Sequence, residues 1–156
     1  MEIRRGNNKD LKGINALLEQ VLMVHHNIRP DLFKANVKKY TDDELKDILA
    51  DDRKPVFVAV DAKNQVLGYA FCVFIQHEDD NILTPIKSLY IDDLCVDEKQ
   101  RGNHVGKSLY DYVIDYARKS GCYNVTLNVW NGNDNAMNFY EKCGLKPQKI
   151  GMEKIL

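Results

Sequence analysis

Between Asp10 and Leu22 the apolar residues fall at helical spacing. Leu11, Ile14, Leu17, Leu18, Val21 and Leu22 share one face, with Asp10 placed to cap the start. This predicts a first helix, redirected near His26 by Pro30, after a short strand at Glu2 to Arg5. Leu32 to Tyr40 fits neither period. Thr41-Asp42-Asp43-Glu44 is a capping box that opens a second helix carrying Leu45, Ile48 and Leu49.

Three extended segments follow, at Pro55 to Asp61, Val66 to His77 and Ile86 to Val96. The polar turn Ala62-Lys63-Asn64-Gln65 makes the first two an antiparallel hairpin. His77-Glu78-Asp79-Asp80-Asn81 is a charged loop between the second and third. Val105 to Lys119 is a helix whose stripe is Val105, Leu109, Tyr112, Val113 and Tyr116, ended by Ser120-Gly121. Asn124 to Trp130 alternates as a strand, Asp134 to Lys142 is a helix ended by Gly144, and Lys149 to Leu156 reads as a last strand. This order predicts an α/β sandwich with a mixed sheet.

Composition narrows the function classes. At 156 residues, with 44% hydrophobic and 29% charged, the chain reads as a single domain over 1–156 with a sizeable core. A formal net charge of −1 gives no electrostatic case for nucleic acid or an anionic membrane. The start Met1-Glu2-Ile3-Arg4-Arg5 lacks an apolar core and reads as no secretory signal; the apolar run Tyr69 to Ile75 is too short to span a bilayer. Cys72, Cys95, Cys122 and Cys143 are widely spaced, as for reduced thiols in a cytoplasmic protein, and no zinc-like clustering of ligands occurs. His25 and His26 are adjacent, so they point to different sides of a helix and make no metal pair.

The chemistry concentrates where a strand meets a helix. Leu94-Cys95-Val96-Asp97 runs into a polar turn with two glycines, Arg101-Gly102-Asn103-His104-Val105-Gly106-Lys107, which opens directly into the helix. Such a turn offers unpaired amides at the positive end of a helix dipole, with Arg101 and Lys107 adding full charges. A phosphate, most naturally a nucleotide-like cofactor's pyrophosphate, fits that chemistry. Two alternatives stay open on these residues. One is a plain strand-to-helix turn; the other is a nucleotide phosphate loop, although three residues rather than four separate Gly102 from Gly106. The run is also not G-x-G-x-x-G.

Two segments together resemble the GCN5-related N-acetyltransferase (GNAT) superfamily. In Arg101-Gly102-Asn103-His104-Val105-Gly106 the family's acyl-CoA turn is matched at Arg101 and Gly106, with His104 where the first motif glycine stands. Some thirty residues on, Asn133-Asp134-Asn135-Ala136-Met137-Asn138-Phe139-Tyr140-Glu141-Lys142-Cys143-Gly144-Leu145 is similar to the family's Asn-x-x-Ala-x-x-Phe-Tyr-x-x-x-Gly-Phe segment. The resemblance is sharpest from Tyr90 to Leu145. It implies a mostly antiparallel sheet flanked by helices in a three-layer α/β/α sandwich. It also implies acetyl-CoA as co-substrate, an amine acceptor, no metal, and a homodimer. Should the His104 position need a positive φ, His costs more than Gly there, while its amide is kept.

Acetylating an amine requires the neutral amine, and with a pKa of about 10.4 only about one alkyl amine in a thousand is neutral at pH 7. A base is therefore useful. The resemblance places it at Asp92; strand alternation would put Asp92 and Asp93 on opposite faces. The resemblance places the general acid at Tyr140 and an oxyanion-binding amide at a β-bulge near Leu94-Cys95-Val96; it lines the cofactor arm with Asn133 and Ala136. Asn133 equally reads as a helix cap, and Cys95 has no His base beside it in the sequence for covalent catalysis. The resemblance implies an acceptor site between roughly Val21 to Tyr40 and the loop His77-Glu78-Asp79-Asp80-Asn81, whose three consecutive acids either attract a small cationic amine or form a solvated loop. Two rivals are a non-catalytic acyl-CoA sensor and a phosphate-loop nucleotide binder.

Overall fold

A computed structural model describes residues Met1–Leu156. Strands β1 (Glu2–Arg5), β2 (Val56–Val60), β3 (Val66–Gln76), β4 (Lys87–Val96) and β5 (Asn124–Leu127) form one sheet in that order. The first four are antiparallel to their neighbours, and β5 runs parallel to β4. Four helices accompany them: α1 (Leu11–Ile28), α2 (Asp42–Ala50), α3 (Val105–Lys119) and α4 (Asp134–Lys142).

Period-two alternation in the strands splits the core between two sides of the sheet. Tyr69 and Phe71 of β3 pack with Ile14, Leu17 and Leu18 of α1 and with Leu45 and Leu49 of α2. Their neighbours Ala70 and Cys72 pack the other way, with Val105, Leu109, Val113 and Ala117 of α3, and α4 adds Phe139 and Tyr140 to that side. Helices therefore cover both faces, which is the three-layer α/β/α sandwich. Ile14, Leu109 and Val113 are fully buried, and each contributes about 1.5–3 kcal/mol. Gly68 is where α3 and β4 come closest to β3: a Cβ there would lie 2.8 Å from the Cys95 carbonyl oxygen and 3.0 Å from Leu109.

Four expectations need correction. The α3 stripe is rotated: Tyr110 and Ala117 are buried, while Tyr112 lies at the rim, edge-on to Phe57. Two element ends shift as one correction: strand β5 stops at Leu127 rather than Trp130, and α1 runs on to Ile28. Residues 149–156 form no strand, and Ile150, Met152, Ile155 and Leu156 are exposed. Pro147 has no N–H for a ladder and β5 offers an edge of only four residues, so the segment is held instead by the ion pair of Glu153 with Arg29.

The fourth correction bears on the site. Tyr69 pairs with Cys95 and Phe71 with Asp93, yet Cys72 pairs with Ile91, so Asp92 is an extra residue in β4. This β-bulge flips the alternation. Leu89 and Ile91 face α3, whereas Cys95 faces α1. The bulge expected near Leu94-Cys95-Val96 thus lies at Asp92, and it turns Asp92 and Asp93 toward the same side.

Candidate active site

Strand β4 is paired to β5 only from Ser88 to Ile91. Beyond the bulge, the edge carrying Leu94, Cys95 and Val96 separates from β5 and keeps no ladder on that side. Backbone groups left this way invite an extended ligand to pair as an added strand. The start of α3 and the body of α4 close the gap: a Cβ on Gly106 would lie 3.4 Å from Val96 and 3.6 Å from the Phe139 ring. Gly106, Val96 and Phe139 are thereby brought to one place, and Tyr140 stands beside Phe139 with ring centroids 5.1 Å apart.

The turn feeding α3 has the shape its composition predicted. Gly102 has φ +83 with open space around it, and His104 sits in the left-handed region at φ 60, ψ 9. The first helical bond runs from the Ser108 amide to the His104 carbonyl at 3.0 Å, so the amides of Val105, Gly106 and Lys107 have no intrahelical acceptor. Arg101 is exposed and makes no ion pair. Asn103 folds back on Gln100, its amide donating to the Gln100 carbonyl at 3.3 Å. Lys107 departs from expectation: its ammonium is paired with Asp111 one turn along the helix, pointing away from the turn's amides. His104 carries the cost the sequence anticipated, since a left-handed non-glycine residue loses about 1–2 kcal/mol. His104→Gly should raise stability by about 1 kcal/mol in chemical denaturation without weakening cofactor binding.

At the start of α4, the Asn133 side chain caps the helix, accepting from the Ala136 amide at 3.3 Å. Asn133 and Ala136 thus shape the helix start that presents Phe139 and Tyr140. Burial, with the Asp93 carboxylate adding to it, holds the Tyr140 phenol well above its ordinary range. It stays protonated at neutral pH, as a proton donor must.

On the other side of the sheet the bulge gathers charges. The Lys39 ammonium lies 3.8 Å from an Asp92 oxygen and 3.9 Å from an Asp93 oxygen. Asp93 is buried and accepts a hydrogen bond from the Tyr69 hydroxyl at 2.8 Å, while Asp92 is about two-fifths exposed. Burial raises the Asp93 carboxyl above its usual range; Lys39 and the Tyr69 hydroxyl pull it back only in part. Burial works against the Lys39 ammonium too, but Asp93 and Asp92 outweigh it and raise its pKa. Burial lowers His25, nearby, against the opposing pull of Asp93. Lys39, Tyr69 and His25 carry no motif in the sequence. One signal was available: the apolar positions facing α3 change phase along β4, from Leu89 and Ile91 to Leu94 and Val96, which requires one extra residue between them.

Three remaining features have structural explanations. Cys95 packs in the core with Sγ 3.6 Å from the Leu17 carbonyl oxygen, and burial pushes its thiol up to about 12, the wrong direction for a nucleophile. Asp80 is spent on its own loop, accepting from the Ile82 and Leu83 amides at 2.8 Å each. Phe33 is packed between His25 (5.1 Å) and Trp130 (5.4 Å), which ties the irregular segment after α1 to the loop before α4.

Comparison with known proteins agrees with this geometry. Residues 22–145 match the model of the acetyltransferase (GNAT) family. Glucosamine 6-phosphate N-acetyltransferase of Arabidopsis thaliana is 37% identical over 68 residues, 44% of this chain and 44% of the relative. The chain spans about half the length of the curated relatives it matches. Among solved structures, a mutant of the BH1408 protein from Bacillus halodurans superposes with TM-score 0.95 at 29% identity, over 100% of this chain and 99% of the other. An aminoglycoside acetyltransferase from an uncultured soil metagenomic sample, in complex with sisomicin, has the same fold with TM-score 0.76 at 20% identity, over 99% and 95% of the two chains. The family match covers most of the chain and spans both the glycine turn and the Phe139-Tyr140 pair, and this chain belongs to the GNAT acetyltransferase family.

Proposed function

We propose that this protein transfers the acetyl group of acetyl-CoA directly to a primary amine on a small, cationic acceptor. The observation that carries the reading is the parting of β4 from β5 after Ile91, with Tyr140 and the free amides at the start of α3 closing the same gap. These residues fit the cofactor. Amides of Val105 and Gly106 at a positive helix end, with Arg101 unpaired beside them, suit a pyrophosphate. The open edge of Leu94 to Val96 suits an amide-bearing arm laid as a strand.

Acetyl-CoA supplies a thioester whose carbonyl carbon accepts the amine. Within the site, the edge amides of β4 stand as donors for the carbonyl oxygen, their direction fixed by the sheet. Tyr140 holds the proton that a departing thiolate takes, and its raised pKa keeps that proton available at neutral pH. Asp92, exposed at the bulge, is the base that takes the proton from the acceptor ammonium; buried Asp93 adds negative charge behind it. Arabidopsis glucosamine 6-phosphate N-acetyltransferase and the sisomicin-bound aminoglycoside enzyme are both named for amine-bearing polar acceptors, which supports a small amine here. The carboxylate pair, rather than the Glu78-Asp79-Asp80 loop, supplies the preference for a cation.

The test is thiol release from acetyl-CoA across a panel of amino sugars, diamines, aminoglycosides and peptides with free amines. Turnover with small amines and none with peptides supports the reading. Turnover with peptides alone, or with no amine at all, overturns it.

A further inference from the structure

The cation that the Asp92–Asp93 pair holds comes from the protein itself. Lys39 sits in the irregular stretch between α1 and α2, next to Tyr40, whose ring stacks on Phe71 at 6.2 Å. That anchor sets Lys39 over the bulge. Its ammonium stands 3.8 and 3.9 Å from the two carboxylates, outside hydrogen-bond range, and 5.3 Å from the centre of the Tyr40 ring, so charge and a cation–π contact hold it. Asp92 accepts no hydrogen bond from any other protein group. The Lys39 side chain is about a third exposed and attached to no regular element, so it can swing toward solvent once another cation takes its place beside the buried Asp93.

We infer that Lys39 is a specificity-determining residue, a tethered competitor whose ammonium occupies the place between Asp92 and Asp93 that the acceptor's ammonium takes. The inference rests on reading Asp92 and Asp93 as the acceptor-amine subsite. An incoming cation must displace Lys39, so a weak monocation is held off, while an acceptor with a second positive group has more binding energy to spend on the exchange. A primary ammonium and the lysine side chain end in the same group, so the lysine marks the subsite's chemistry as well as guarding it.

The experiment compares wild type with Lys39→Met and Lys39→Arg. Calorimetric titration with 1,4-diaminobutane, and with uncharged 1,4-butanediol as control, reads the subsite without any turnover. Removing the competing cation, which stands about 4 Å from each carboxylate, should tighten diaminobutane binding about tenfold in Lys39→Met. Lys39→Arg should show no gain, and butanediol should gain nothing in either variant. In acetylation assays the same change should fall on KM rather than on kcat. Weaker or unchanged diaminobutane binding in Lys39→Met overturns the inference, because Lys39 would then be orienting the carboxylates or holding an acidic group of the acceptor. An equal gain for butanediol overturns it too, since the effect would be one of space. If Lys39→Met binds the diamine more tightly while no variant acetylates any amine, the acetyl-transfer reading fails and the role of Lys39 stands.

Discussion

Tyr140→Phe should lower kcat for amine acetylation by about a hundredfold or more, while acetyl-CoA binding changes little. The ring is kept, so its contact with Phe139 at 5.1 Å and the packing of α4 against the sheet persist. Only the hydroxyl is lost, and with it the proton that the proposed mechanism assigns to the departing thiolate, carried by a phenol whose pKa burial and Asp93 have raised. Acceptor KM should stay close to wild type, because the proposed acceptor subsite is the Asp92–Asp93 pair rather than Tyr140. Steady-state kinetics with calorimetry of acetyl-CoA binding separates these effects. Loss of binding with unchanged kcat would place Tyr140 in cofactor recognition instead. Unchanged activity would favour protonation from water.

The second large effect concerns stability. Asp10→Ala should destabilise the fold by about 3 kcal/mol, lowering Tm by roughly 10 °C for a chain of this size. Asp10 is almost completely buried and accepts two hydrogen bonds from the Arg4 guanidinium, at 2.8 and 2.9 Å. It also accepts from the Asn7 amide at 2.9 Å, closing a capping box whose N-cap is Asn7; the side-chain cap on α1 expected of Asp10 itself does not form. Removing it leaves a partly buried guanidinium unpaired and an amide orphaned at the junction of β1 and α1. Burial alone would raise the Asp10 carboxyl, but the Arg4 and Asn7 hydrogen bonds more than offset this and hold it below its ordinary value of 3.8. A carboxyl whose pKa is depressed on folding stabilises fully above its unfolded value and loses that contribution as pH falls through the folded one. The gap in Tm between wild type and Asp10→Ala should therefore be full at pH 7 and shrink below about pH 3.8. A gap that stays constant down to pH 2 would show that packing, not the ion pair, is what the variant loses.

Much of the fold could be read from local pattern, because most elements are specified locally. The Thr41–Glu44 capping box forms as expected, with both reciprocal hydrogen bonds present. The β2–β3 hairpin and the amphipathic face of α1 likewise follow from periodicity and turn chemistry. The glycine turn and the Phe139-Tyr140 pair are motif residues, and the structure brings both to the end of β4. Two things escaped the pattern. A bulge is a one-residue departure in pairing between β3 and β4, so alternation along β4 alone put Asp92 and Asp93 on opposite faces. Lys39 comes to the site from a segment with no period, placed there by Tyr40 packing on Phe71 across a long loop in the sequence. Tertiary contacts of that kind leave no local signature. The final strand failed for a related reason: an alternating segment becomes a strand only where an edge receives it, and β5 is too short to do so.

The most direct measurement is calorimetric titration of the protein with acetyl-CoA, run beside ATP with magnesium. Acetyl-CoA should bind with a micromolar Kd in the absence of magnesium, and Arg101→Glu, at an exposed and unpaired cation beside the α3 amides, should abolish the binding. Magnesium-dependent binding of ATP with none of acetyl-CoA would contradict the assignment of this site to acetyl transfer.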